Sequence, residues 1–125
     1  MNLLLVVFGG GIGAGSRYLL GGWVHGQLGN GFPWVTFAVN ALGSLMIGLV
    51  FGLAQAKSIS PGTTLFLAVG VLGGFTTFSA FSYETMRLLA NGSIGASFLN
   101  VAGQFAVGLL AVYAGFVAVR GLVGA

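Results

Sequence analysis

Long apolar runs separated by short polar stretches divide the chain into four segments. Their approximate bounds are 3–23, 34–54, 62–90 and 95–119. A helix needs roughly 20 apolar residues to cross the hydrocarbon core of a bilayer, and each run is long enough. The pattern therefore predicts an all-α integral membrane protein whose residues 1–125 form a single domain of four transmembrane helices.

The breaks between these segments carry turn and capping signals. A polar, glycine-containing stretch runs from His25 to Pro33, and Asn91–Gly92–Ser93 is typical of a turn. Ser60–Pro61 predicts a helix N-cap followed by proline at the first helical position. The first apolar run lacks a basic leader and is too long for a signal peptide, so we expect it to be retained as a span.

Composition agrees with a membrane protein and excludes several function classes. The chain is 57% hydrophobic and 4% charged, whereas a soluble domain has about 25% charged residues. The charged residues are Arg17, Lys57, Glu84, Arg87 and Arg120. Four scattered cations without a basic run do not indicate a nucleic-acid partner. One acid, one histidine and no cysteine leave no paired-carboxylate or thiolate metal site, so we expect no enzyme.

The cations give a weak signal for orientation in the membrane. Four spans put both termini on one side, together with Lys57 and Arg120, whereas Arg87 lies on the other. Two against one is a small positive-inside bias. Either a weaker signal orients the chain or it inserts in both directions, which would suit an antiparallel dimer.

Many of the 24 glycines fall inside the predicted spans. They form small-xxx-small patterns at Gly9 and Gly13, at Gly11 and Gly15, and at Gly48 and Gly52. Such residues let helix backbones approach closely in lipid, so a compact helical assembly is expected.

The third segment contains a sequence that is a poor helix former. Gly73–Gly74 is followed by Phe75 and by two β-branched threonines, Thr76 and Thr77. The sequence therefore predicts one of two structures: a kinked but continuous helix, or a span that is broken near the middle of the membrane. Broken spans are where transporters and channels bind ions, because freed carbonyls line the cavity.

Aromatic and polar stripes lie on several predicted helices. They comprise Phe75, Phe78 and Phe81; Thr36, Asn40 and Ser44; and Asn100, Gln104 and Gly108. Each stripe is explained either by helix packing or by an anion path, since aromatic ring edges are positive and amide N–H groups can replace water around an anion.

Among the ionisable residues, Arg17 either snorkels to the interface or makes a positive potential where anions enter. Glu84 could pair with Arg87 one turn on.

Three motifs make the sequence similar to the Fluc (CrcB) fluoride channels over the whole chain. Gly10–Tyr18 nearly reproduces Gly-Gly-x-x-Gly-Ala-x-x-Arg-Tyr, and Val39–Gly43 reproduces Val-Asn-x-x-Gly. The longest motif, Gly-Gly-x-Thr-Thr-Phe-Ser-Thr-Phe-Ser, recurs at Gly73–Ser82. Two departures are Ala80 in place of threonine and Gly108 where a hydroxyl residue is common.

The resemblance implies a passive fluoride channel in the inner (plasma) membrane, built as an antiparallel dual-topology homodimer with two pores. It implies pore residues at Phe78, Phe81, Asn40, Gln104, Asn100, Ser79 and Thr77. Arg17 would lie at an electropositive vestibule. The carbonyls of Gly73 and Thr76 would bind a structural sodium ion on the dimer axis, with fluoride as the permeant ion.

Two alternatives remain open from the sequence. A small dual-topology multidrug exporter needs a membrane carboxylate, most often in its first span, where this chain has Arg17. A non-transporting membrane assembly subunit would need only the glycine packing and no polar stripes.

Overall fold

The computed structural model describes residues 1–29 and 31–123, and it is helical through almost all of them. Its elements are α1 (Asn2–Leu28), α2 (Trp34–Gln55), α3 (Pro61–Thr64), the π-helix π1 (Leu65–Leu72), α4 (Gly73–Phe75), α5 (Phe78–Ala90) and α6 (Ile94–Val123). Four helical stretches are long and apolar enough to cross a membrane, namely Asn2–Leu28, Trp34–Gln55, Pro61–Ala90 and Ile94–Val123. The predicted all-helical architecture with four membrane-spanning segments is confirmed.

The first helix continues further than the sequence pattern predicted. It ends at Leu28 rather than Trp23, so His25 lies in its last turn and not in a loop. Val24 is buried, and keeping this turn helical holds its side chain in the protein interior. Gly29 then ends the helix with φ +74°, and its N–H donates to the His25 carbonyl at 2.8 Å. A left-handed residue at this position favours glycine.

The predicted start of the third membrane-spanning stretch is confirmed. Ser60 Oγ accepts a hydrogen bond from the Thr63 N–H at 3.1 Å, and Pro61 occupies the first helical turn. The turn before α6 is confirmed as well, with Gly92 at φ +80°. Both signals are local, so the residues that produce them can be recognised without knowledge of the tertiary structure.

Two backbone-to-backbone helix contacts hold the fold together. In α1, a Cβ on Gly13 would collide with the Val71 carbonyl of π1, and one on Gly9 would lie 2.7 Å from the Phe66 carbonyl. In α2, a Cβ on Gly48 would collide with the Val112 carbonyl of α6. The small-residue pattern thus allows main chains to touch, which is how helices gain van der Waals contact in lipid.

Only one of the two overlapping glycine patterns in α1 is used in this way. Gly11 and Gly15 are exposed, and a Cβ on either would meet no atom within 4 Å. They lie on the opposite side of the helix from Gly9 and Gly13 because residues two apart are separated by about 200° in an α-helix of 3.6 residues per turn. Close packing is therefore confirmed within the chain for Gly9 and Gly13, whereas for Gly11 and Gly15 it stays a prediction.

Three polar side chains are buried beside the apolar core, and many large apolar side chains are exposed. Thr36, Ser97 and Asn100 are buried, whereas Phe8, Leu109 and many similar side chains are exposed. This reverses the arrangement of a water-soluble protein and fits a protein surrounded by lipid.

We expect Gly13→Ala to destabilise the protein strongly and Gly15→Ala to leave it folded. The methyl group at position 13 meets the main chain of Val71, which cannot rotate away, so α1 must separate from π1. At position 15 it meets open space, and alanine is the better helix former by about 1 kcal/mol. Thermal melting of the two variants in detergent, followed by size-exclusion chromatography, measures the difference. Equal melting temperatures would contradict the assigned packing.

Candidate functional site

The backbone leaves helical geometry at two residues of the third membrane-spanning stretch. Thr76 has φ −83° and ψ 157°, and Thr77 has φ −147° and ψ 117°, so both are extended between α4 and α5. They follow the paired glycines and the eight-residue π-helix, a rare geometry that often occurs at functional sites. Extended residues inside a helical stretch free main-chain N–H and C=O groups that must find other partners.

The side chain of Asn40 in α2 forms hydrogen bonds with both main-chain polar groups of Thr77. The Thr77 N–H donates to Asn40 Oδ1 at 2.9 Å, and Asn40 Nδ2 donates to the Thr77 carbonyl at 3.0 Å. The Thr77 side chain in turn caps α5, because its Oγ1 accepts from the Ala80 N–H at 3.2 Å. Arg17 of α1 donates through Nε to the Gly74 carbonyl at 3.3 Å. Side chains from two other helices therefore satisfy much of the freed backbone.

Two carbonyls in this region have lost their ordinary helical donors. In a continuous α-helix the Gly73 carbonyl would accept from the Thr77 N–H, which here donates to Asn40. The Thr76 carbonyl would accept from the Ala80 N–H, which here donates to Thr77 Oγ1. Carbonyl oxygens released from a helix in this way are suitable ligands for a hard cation.

A chain of side-chain hydrogen bonds runs from Asn40 across α6 to α5. Asn40 Nδ2 donates to Gln104 Oε1 at 2.9 Å, and Gln104 Nε2 donates to Asn100 Oδ1 at 3.0 Å. Asn100 Nδ2 then donates to Thr85 Oγ1 at 2.9 Å, and Thr85 Oγ1 donates to the Phe81 carbonyl at 2.8 Å. In each of these four hydrogen bonds the donor lies on the Asn40 side and the acceptor on the Phe81 side. We call these side chains the amide relay.

Three phenylalanines and two members of the amide relay surround a cavity of about 150 Å³. Its lining residues are Asn40, Phe78, Phe81, Gln104 and Phe105. The Phe78 and Phe81 ring centroids lie 5.8 Å apart, and Phe81 meets Phe105 edge to face at 6.1 Å. Phe81 is only 9% exposed, whereas Phe78 is 74% exposed. We call this space the aromatic cavity.

The structure brings together some of the residues that the sequence suggested for a pore. Asn40, Phe78, Phe81 and Gln104 line the aromatic cavity, and Asn100 lies fully buried next to Gln104. Ser79 and Thr77 are not among the lining residues of this cavity. Their hydroxyl oxygens lie 3.4 Å from each other instead. Their roles in a pore stay predictions.

Arg17 lies away from the aromatic cavity. It lines a separate cavity of about 730 Å³ that also includes Trp23, Thr77 and Glu84. Glu84 Oε1 is buried and has no hydrogen-bond partner among the described residues, so the suggested pairing with Arg87 does not reach this oxygen. Whether Arg17 lies at an anion vestibule stays a prediction.

The sequence reasoning missed two residues, Thr85 and Phe105. Thr85 follows Phe78 by seven residues and Phe81 by four, so helical periodicity puts all three on one face of α5. Phe105 follows Gln104 in α6 and lines the aromatic cavity beside it. The sequence spacing could therefore have identified Thr85. The position of Phe105 depends on how α6 is rotated against α5, which the sequence does not show.

The aromatic cavity suits a small anion better than a cation. The amide nitrogen of Gln104, which lines the cavity, carries two hydrogens, and the relay uses one of them. Aromatic ring edges are also electropositive. Such weak donors can replace part of an anion's hydration shell without binding it permanently.

The four long apolar helices and the polar groups between them define a multi-pass integral membrane protein. Residues 4–116 match the family model described as CrcB-like protein, Camphor Resistance (CrcB). A protein from one strain of Thermus thermophilus is 52% identical over 121 residues, which cover 97% of this chain and 95% of the relative. A Geobacter sulfurreducens protein is 45% identical over 96% of this chain and 97% of its own length.

A third relative, from Agrobacterium fabrum, is 44% identical over 98% of both chains. All three relatives bear the name Fluoride-specific ion channel FluC. The chain belongs to the CrcB family, and the resemblance noted in the sequence is confirmed.

Proposed function

We propose that this protein is a passive, fluoride-selective ion channel that lets fluoride leave the cytoplasm. The aromatic cavity carries the proposal, because it combines ring edges with amide donors in a space of about 150 Å³. The names of its relatives support the same ion. A channel needs no catalytic group, and the site offers hydrogen-bond donors instead.

Selectivity follows from the kind of group that meets the ion. Fluoride is the smallest halide and the strongest hydrogen-bond acceptor among them, so it gains most from amide N–H groups. Among the described residues, no lysine or arginine lines the aromatic cavity, so an anion there is not held by a full opposite charge. Binding is then weak enough for the ion to move on, as conduction requires.

We further propose that the channel is an antiparallel, dual-topology homodimer with two pores and with the third span broken at mid-membrane depth. Phe78 supports this assembly: its ring is 74% exposed in the single chain although it lines the aromatic cavity. A second copy would cover it. The weak charge bias, with Lys57 and Arg120 against Arg87, allows both orientations.

We also propose a structural sodium ion at the dimer axis, bound by the carbonyls of Gly73 and Thr76. These residues fit such an ion because the amide donors of both carbonyls are engaged by Asn40 and Thr77. Carbonyl oxygens freed from a broken helix are groups that coordinate sodium in membrane proteins, and a bound ion would offset their partial negative charge. Its contribution would be to hold the two copies together.

Reconstituted liposomes provide the test of the channel function. Purified protein in fluoride-loaded vesicles should release fluoride rapidly to an ion-selective electrode, whereas chloride-loaded vesicles should retain their anion. Absence of fluoride release from a verified, folded dimer would overturn the proposal. The multidrug exporter and the assembly subunit would then be the remaining functions.

Removal of sodium should weaken the dimer if the proposed ion site exists. Purification in potassium or N-methylglucamine buffers should shift the protein towards monomer or abolish its fluoride release, and returning sodium before reconstitution should restore both. Light scattering coupled to size-exclusion chromatography measures the association. Identical mass and flux in all three salts would contradict the sodium site.

A further inference from the structure

We propose that Thr85 is a positioning residue that fixes the direction of the amide relay and so aims amide hydrogens, rather than carbonyl oxygens, at the ion. The inference rests on the proposed channel function and extends it to a residue outside the pore lining. It is carried by the common direction of four consecutive hydrogen bonds, which run from Asn40 through Gln104, Asn100 and Thr85 to the Phe81 carbonyl.

One end of the relay is fixed by the main chain. The Thr77 N–H can only donate, so Asn40 must present Oδ1 to it. Nδ2 of Asn40 then lies on the other side and donates to both the Thr77 carbonyl and Gln104 Oε1. Both hydrogens of this amide are used, because an amide nitrogen carries two.

The other end is fixed by the single hydrogen of a hydroxyl group. Thr85 Oγ1 donates that hydrogen to the Phe81 carbonyl at 2.8 Å, so only its lone pairs can face Asn100. Thr85 therefore offers Asn100 an acceptor in a fixed position.

Asn100 lies between the two fixed ends of the relay. Because it is buried, solvent water cannot replace a hydrogen bond that its amide loses. It is 0% exposed, and a reversed amide would put its nitrogen against Gln104 Nε2, where two donors would face each other. With Thr85 in place, Asn100 Nδ2 is satisfied and Gln104 keeps its nitrogen on the Asn100 side. The second hydrogen of Gln104 Nε2, which this chain of bonds does not use, remains available to an anion in the aromatic cavity that Gln104 lines.

Loss of the Thr85 hydroxyl should therefore disturb ion binding without removing any group that lines the aromatic cavity. Either Asn100 keeps a buried donor without an acceptor, or its amide reverses and displaces Gln104. The second outcome exposes carbonyl oxygen to the anion, which repels it. In the first outcome Asn100 loses its fixed acceptor and no longer holds Gln104 in one position. Fluoride binding should therefore fall in both cases, and the half-saturating fluoride concentration should rise along with any loss of maximal flux.

Three variants in the full-length protein test the role of this hydroxyl. Thr85→Val keeps the shape and removes the hydroxyl; we expect fluoride efflux to fall at least about tenfold, as a buried donor loses its acceptor. Thr85→Ser keeps the hydroxyl and should restore efflux to within about threefold of wild type. Ser97→Ala removes a hydrogen bond between the same two helices, outside the relay, and should conduct as wild type does.

The outcomes separate this inference from the channel function itself. Wild-type efflux together with undiminished efflux by Thr85→Val would overturn the positioning role alone, as would a folded Thr85→Ser variant as defective as Thr85→Val. No efflux by folded wild type would overturn both. If Thr85→Val does not fold, Thr85→Ala removes the hydroxyl without adding volume; normal efflux by that variant would overturn the inference, and a higher half-saturating fluoride concentration would support it.

Discussion

Phe81→Ile is expected to abolish fluoride efflux while the protein remains folded. Isoleucine keeps much of the apolar volume, but it removes an aromatic ring, whose edge is electropositive, from the lining of the proposed fluoride site. Phe81 has the most central position, since its ring lies 5.8 Å from Phe78 and 6.1 Å from Phe105. Loss of these two aromatic pairs should destabilise the fold by only about 1–3 kcal/mol, at about 0.5–1.5 kcal/mol for each pair. Electrode-measured efflux from liposomes with matched protein content measures the effect.

The same substitution at Phe98 provides a matched control. Phe98 lies in α6, is 64% exposed and does not line the aromatic cavity, so Phe98→Ile should conduct as wild type does. Phe78→Ile should behave like Phe81→Ile, because both rings line the cavity. Efflux at the wild-type rate by folded Phe81→Ile would disprove the role of the ring edges.

The helical framework was predictable because bilayer spanning and helix capping are properties of local sequence. Apolar length predicts the spans without any knowledge of packing. Ser60 and Pro61 identify a helix start by their own chemistry, and the structure has the cap that they predict. The end of α1 was misjudged, since the hydrogen bond from the Gly29 N–H to the His25 carbonyl, which closes its last turn, is not visible as an apolar run.

The contacts of the site depend on helix rotation, which the sequence constrains only weakly. Gly9 and Gly11 belong to equally good small-residue patterns, yet only Gly9 faces π1. Asn40 and Gln104 could be recognised as polar residues in apolar helices, but their meeting at 2.9 Å requires α2 and α6 to be packed in one register. Phe105 was missed for the same reason, because it lines the aromatic cavity only when α6 is rotated so that it faces α5.

Asn40→Leu is expected to abolish efflux by a different route, through loss of the backbone geometry around Thr77. Leucine has a similar size but can neither accept from the Thr77 N–H nor donate to its carbonyl, and it also leaves Gln104 Oε1 without a donor. Two unsatisfied main-chain groups should cost roughly 2–6 kcal/mol, at about 1–3 kcal/mol each. We therefore expect a lower melting temperature together with lost efflux, whereas Phe81→Ile should lose efflux with a smaller change in stability.

Asn40→Asp separates the acceptor function of the Asn40 amide from its donor function. An aspartate still accepts from the Thr77 N–H, but it cannot donate to the Thr77 carbonyl or to Gln104 Oε1, and it adds a negative charge at the lining of the aromatic cavity. It should be as inactive as Asn40→Leu, since an anion is repelled where a donor stood. Gln55→Leu replaces an exposed amide at the end of the same helix and should retain normal efflux and stability. Normal efflux by either Asn40 variant would mean that neither the Thr77 peptide nor the ion depends on this amide.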